Sequence, residues 1–116
     1  MIDLIEEKIK RTDYWDSRVK KLECNYFGDE VKMIFGDENN DIEFLFKGCY
    51  EVKMNHNIEY DKLCPSEELT FPQIPYFIQN IDVCQLVLHN KIYFEFQINI
   101  FPLNLYVLCK DFIINA

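Results

Sequence analysis

The sequence predicts a mainly β fold: an antiparallel curved sheet, closing as a β-sandwich or a partly open barrel, with one short N-terminal helix. Three observations lead there. Apolar and polar residues alternate at period two along most of the chain. Short polar turn signals separate the alternating runs, and connections that short force antiparallel pairing. Helical periodicity is confined to the start of the chain.

That helix spans residues 2–11, "IDLIEEKIKR", where Ile2, Leu4, Ile5 and Ile9 form an apolar stripe. Glu6 with Lys10, and Glu7 with Arg11, stand four apart in the favourable order. Thr12 and Asp13 end it. From Trp15 the period becomes two, and Leu22, Cys24 and Tyr26 share a face opposite Lys21, Glu23 and Asn25. "FGDE" (27–30) is a turn, after which Val31, Met33 and Phe35 answer as the second arm of a hairpin. "GDENND" (36–41) is a polar loop.

One strand of period two accounts for residues 42–54. Its even face carries Ile42, Phe44, Phe46, Gly48, Tyr50, Val52 and Met54. Gly48 on that face gives room for a bend or a packed ring. By the same parity Cys49 faces away from the apolar side while His56 continues inward. The two are therefore not expected to share a metal, Cys64 adds no recognised ligand spacing, and no cofactor is implied.

Residues 57–80 are less regular. Pro65 and Ser66 ahead of two acids resemble a helix start. "FPQIPYFIQNI" reads as a connector over one end of the sheet, with a helical turn from Pro75 to Gln79, because a central strand tolerates no such prolines. Cys84, Leu86 and Leu88 then alternate against Val83, Gln85 and Val87. "HNK" (89–91) is a tight turn. Ile92, Phe94, Phe96, Ile98 and Ile100 make the cleanest alternation in the chain. Pro102 stops that strand, Leu103 to Cys109 alternate once more, and "DFIINA" is a short strand or tail.

The chain has 116 residues, enough for one domain (1–116) with a real core. Its net charge of −8 argues against binding a nucleic-acid backbone, which needs clustered Lys and Arg. It suits a basic partner protein, or simply a soluble surface. The N-terminus has no secretory h-region and no apolar run reaches membrane-spanning length, so a cytoplasmic protein is expected. Five widely spaced cysteines read as reduced thiols used as small apolar residues.

Catalytic chemistry finds little footing. His89 falls at a hairpin tip and His56 at a strand end. The three glycines are single and scattered, so there is no phosphate loop. Acid pairs such as Asp37/Glu38 lie on turns, where they are solvated. Glu95, mid-strand, is expected exposed or paired with Lys. No catalytic residue is assigned, and an enzyme is not expected. "WDSRV" (15–19) admits two readings. Trp15 covers the end of the core while Asp16 or Ser17 bonds to free amides, or the motif is a polar recognition spot.

"WDSRVKKLECNYFGDEVKMIFGD" (15–37), followed by "DIEFLFKGCYEV" (41–52), resembles a group of small bacterial (Bacillus-like) uncharacterised proteins, some of them immunity proteins of polymorphic toxin systems. Their pattern opens with His-Asp or Trp-Asp, then Ala or Ser, one residue and an aliphatic. The resemblance covers about residues 14–54. It implies a non-enzymatic protein that occludes a basic toxin domain. Trp15, Asp16, Asp37, Glu38 and Tyr76 are the candidate binding residues. The alternative is an apolar small-molecule binder, which would need an interior cavity lined by Phe44, Phe46, Tyr50, Phe94 and Phe96.

Overall fold

The computed structural model describes residues 2–56 and 69–116. Helix α1 (Ile2–Arg11) precedes six strands: β1 (Arg18–Asn25), β2 (Glu30–Gly36), β3 (Ile42–His56), β4 (Asn80–Leu88), β5 (Lys91–Ile100) and β6 (Leu103–Asn115). They form one sheet in the order β1-β2-β3-β6-β5-β4, and every neighbouring pair is antiparallel. The long strands β3 and β6 are the central pair. "DFIINA" is not a separate element, since Asp111 to Asn115 continue β6 against the first part of β3.

Two hairpins flank that centre. β1–β2 pairs with residues 42–47 of β3, and β4–β5 pairs with residues 103–109 of β6. This stagger curls the sheet. At one end its two edges meet: Arg18 bridges Phe77, the Val19 N–H donates to Tyr76 O at 2.8 Å, and the Ile78 N–H donates to Ser17 O at 2.9 Å. The expected helical turn at Pro75–Gln79 is therefore absent. Tyr76 to Ile78 spend their backbone bonds on β1, and the helical turn sits earlier, at Phe71–Gln73. The expected helix start at Pro65 and Ser66 lies outside the described residues.

The concave face holds the core. Val31, Met33, Phe35, Phe44, Phe46, Phe96 and Val107 are fully buried, with Ile98, Ile100, Leu105 and Cys109 beside them. Helix α1 adds Ile9 to this cluster, and Ile2 and Ile5 pack against it, while Leu4 of the expected stripe points to solvent. Arg11 pairs with Glu7, and the Thr12 hydroxyl donates to Ile9 O at 2.6 Å, closing the last turn. Tyr14 is buried, and its hydroxyl accepts from the Ile81 N–H at 3.4 Å, which ties the helix exit to β4.

One register shift corrects the reading of β3. Alternation holds through Phe46, then Gly48 takes φ +63 and the pairing slips between Cys49 and Glu51. Such a bulge inserts one residue and re-aims its neighbours. Cys49 is consequently buried, against expectation, and Tyr50 is turned outward, 62% exposed. Beyond the bulge Val52, Met54 and His56 pair with Val107, Leu105 and Leu103, the same face as Cys109. Cys49 and His56 thus share a face, because the bulge lies between them. Distance separates them instead: the six residues from Cys109 to Leu103 span ~20 Å.

Candidate functional site

Among the described residues, the β1–β2 turn stands out by its backbone and its exposure. Tyr26, Phe27 and Gly28 all have positive φ, at 54°, 59° and 91°. The Asp29 N–H donates to Tyr26 O at 3.1 Å and closes the turn. Positive φ is ordinary for Gly28, but bulky aromatic residues rarely adopt it. Here they hold it while presenting their rings to water: Tyr26 is 72% exposed and Phe27 fully so. Beside them a cleft of about 810 Å³ runs over the bulge, lined by Phe27, Asp29, Gly48, Cys49, Tyr50, Met54 and Lys110. Tyr50 packs edge-on against Tyr93, ring centroids 5.3 Å apart, and Lys110 sits over its face. That contact lowers the Tyr50 hydroxyl and raises the Lys110 ammonium, each through the hydrogen bond to the other. Asp29 is exposed at the rim and makes no ion pair among the described residues.

The residues singled out from the sequence gather at the opposite end of that hairpin. Trp15 stacks on Tyr14 at 4.2 Å and is half-exposed. Asp16 takes φ +61 and its N–H donates to Ile78 O. Ser17 likewise works through its backbone. Tyr76 receives the Val19 N–H. Next to them the Arg18 guanidinium lies between the rings of Phe71 and Phe77, at 5.1 and 4.8 Å. Asp37 and Glu38 follow Gly36, which pairs with Arg18, so they occupy the same end. Asp37 is no free acid. Its carboxylate accepts from the Asn39 and Asn40 N–H groups and from the Asn40 side chain, and the last of these does most to hold its pKa low. Glu38 is exposed.

Glu95, expected exposed or paired with Lys, is half-exposed; among the described residues it pairs with no Lys, and its carboxylate accepts the Tyr106 hydroxyl at 2.6 Å and the Cys84 thiol at 3.2 Å. These bonds lower the Glu95 pKa, push Tyr106 up to about 12 and raise Cys84. His56 and His89 are exposed, and His89 forms the β4–β5 tip with Asn90. Among the described residues no group of three or more His, Cys, Asp or Glu side chains is placed to hold a metal. The interior phenylalanines pack edge to face, Phe35 on Phe44 and Phe46 on Phe96 at 4.9 Å, whereas Tyr50, also expected in the lining for an apolar ligand, is turned outward.

Sequence reading missed Tyr26 and Phe27, and the signal was present. A hairpin turn ordinarily carries polar residues, and an aromatic pair directly before a turn glycine is out of place there.

The chain is thus a curled antiparallel sheet with acidic loops and an exposed aromatic turn. The chain belongs to the immunity protein PIM7 family, whose model matches residues 1–116. No curated protein matches it. Membership gives the chain a toxin-neutralising, protein-binding role, and immunity proteins are generally non-catalytic. No helix among the described residues is long and apolar enough to cross a membrane.

Proposed function

We propose that this chain neutralises a toxin domain by non-enzymatic occlusion, anchoring it on the β1–β2 turn. The observation that carries the reading is Phe27, fully exposed at a positive φ. Such strain costs on the order of 1–3 kcal/mol per residue and persists where it serves function. Exposed rings beside a cleft are the usual anchors of a protein interface. Asp29, Glu30 and Glu38 steer a basic partner, in keeping with the net charge of −8. Trp15, Asp16 and Tyr76 we assign first to joining the sheet's edges, and to partner contact only at the margin. The protein acts in the cytoplasm, with neither nucleic acid nor membrane as its target.

The test is a search for a toxin domain encoded beside this gene, followed by co-expression with it. Wild-type protein should co-purify with it and protect growth. Phe27→Ser should lose both while its far-ultraviolet spectrum and melting temperature hold. Full protection by a folded Phe27→Ser variant moves the anchor elsewhere; failure of the wild type to bind removes the reading altogether.

A further inference from the structure

We infer that Cys49 and Cys109 form a redox modification site, which a small peroxide converts into a disulfide joining the two central strands. The inference stands apart from toxin binding. The two residues are direct partners across β3 and β6. The Cys49 N–H points away from β6, donating to Asp29 O at 3.0 Å. Cys49 therefore does not exchange backbone bonds with Cys109, and theirs is a non-hydrogen-bonded pair. Cα atoms in such pairs lie about 4.5 Å apart, inside the roughly 4.4–6.8 Å that a disulfide spans. Both thiols are free and face the same side.

The two differ in access. Cys49 lines the cleft below Phe27, whereas Cys109 is fully buried behind it. The Cys49 thiol donates to Phe46 O at 3.5 Å, and the neighbouring thiols shift each other, Cys49 downward and Cys109, with its burial, upward. Cys49 is thus the attacking sulfur and Cys109 the resolving one. The Cys49 thiolate attacks one peroxide oxygen, the O–O bond breaks, and the departing hydroxide takes up a proton, leaving a sulfenic acid and water. The Cys109 sulfur then attacks the sulfenic sulfur. The S–O bond breaks, the S–S bond forms, and hydroxide leaves with the Cys109 proton as a second water. Two thiols and one peroxide give one disulfide and two waters.

Reduced full-length protein is treated with hydrogen peroxide, unfolded, alkylated and digested with trypsin. Two of the five thiols should be lost to alkylation, with a cross-link between the peptides Gly48–Lys53 and Ile92–Lys110 that dithiothreitol reverses. Cys24→Ser removes the exposed thiol of the same cleft and should leave that cross-link intact. Five alkylated thiols, a cross-link through Cys24, Cys64 or Cys84, or over-oxidised Cys49 without a cross-link would each overturn the assignment.

Discussion

The two hairpins that flank the central strands use the same backbone device with opposite side chains. At the β4–β5 tip His89 and Asn90 take φ of 52° and 64°; at the β1–β2 tip Phe27 and Gly28 take 59° and 91°, with Tyr26 at 54° before them. Asn and His are among the residues that visit the left-handed region most readily, and both are polar. The β4–β5 tip is therefore satisfied locally. The β1–β2 tip stands against its local preference twice over, in backbone conformation and in the water its rings displace. Nothing in the hairpin's own core requires those rings, since Val31, Met33 and Phe35 already fill it. These exposed rings are the ones on which the proposed anchoring of a partner rests.

If the hairpins differ only at their tips, their cores should respond alike. Phe35→Ala on β2 and Phe94→Ala or Phe96→Ala on β5 should each cost about 3–5 kcal/mol in denaturant unfolding. Gln97→Ala, on the solvent side of β5, should stay within about 1 kcal/mol. A Phe35 cost far below that of Phe96 would mean that the β1–β2 hairpin is an appendage rather than half of one core.

Repairing the tip separates stability from binding. Phe27→Asn completes an Asn-Gly turn, the sequence this geometry prefers. Stability should rise by about 1 kcal/mol as the aromatic strain is relieved. Affinity for the toxin domain should fall roughly thirtyfold, the equivalent of a ~2 kcal/mol hot spot. Asn90→Gly at the other tip should leave affinity unchanged. Calorimetric titration of the variants against the toxin domain decides it, and equal loss at both tips would erase the distinction between them.

Much of this was legible beforehand, and the exceptions share a cause. Period-two alternation identified each strand and the inward set Phe44, Phe46, Phe94 and Phe96, because one buried face imposes that pattern. It failed at Cys49 and Tyr50, where the positive φ of Gly48 flips the face before Cys49 and the extra residue between Cys49 and Glu51 flips it back. It failed again at Pro75–Gln79, whose partners on β1 are some sixty positions away in sequence. The candidate site was half legible. Trp15, Asp16, Asp37, Glu38 and Tyr76 do gather at one end, but alternation carries no sign of their backbone and loop bonds, and it does not tell an exposed aromatic tip from an ordinary turn.

The outer faces of the two hairpins differ as well, and pH exposes it. Around β4–β5 the outer contact is the hydrogen-bonded set of Glu95, Tyr106 and Cys84; around β1–β2 it is ion pairs, Lys21–Glu23 and Lys32–Glu43. Tyr106, raised from 10.0 to about 12 by Glu95, keeps its proton longer folded than unfolded. Its contribution to stability is complete below pH 10 and disappears as pH climbs through about 12. Glu95, shifted down by Tyr106 and then Cys84, contributes above its ordinary 4.5 and loses that contribution as pH falls below it. In Glu95→Gln, tyrosinate absorbance should show Tyr106 ionising nearer its ordinary value, and the alkaline loss of stability should flatten. An unchanged titration would detach Tyr106 from Glu95.

The smallest effect concerns which end of the β1–β2 hairpin meets the partner first. Asp29 stands beside the aromatic turn and Glu38 at the far end, and both are exposed. Asp37 is unsuited to the test, because reversing it would also strip the loop of its bonds to Asn39 and Asn40. Steering acts over a Debye length of about 8 Å at physiological salt, so an acid near the docking surface should matter more than one beyond that reach. Asp29→Lys should slow association with the toxin domain severalfold and leave dissociation almost unchanged, since rim charges act on encounter. Glu38→Lys should slow it less, and added salt should bring both variants to the wild-type rate. Stopped-flow association across a salt series measures this directly. If Glu38→Lys has the greater effect, the partner approaches the end that holds Trp15 and Tyr76, and Phe27 loses its claim as the anchor. If neither matters at any salt, the acidic surface serves solubility alone.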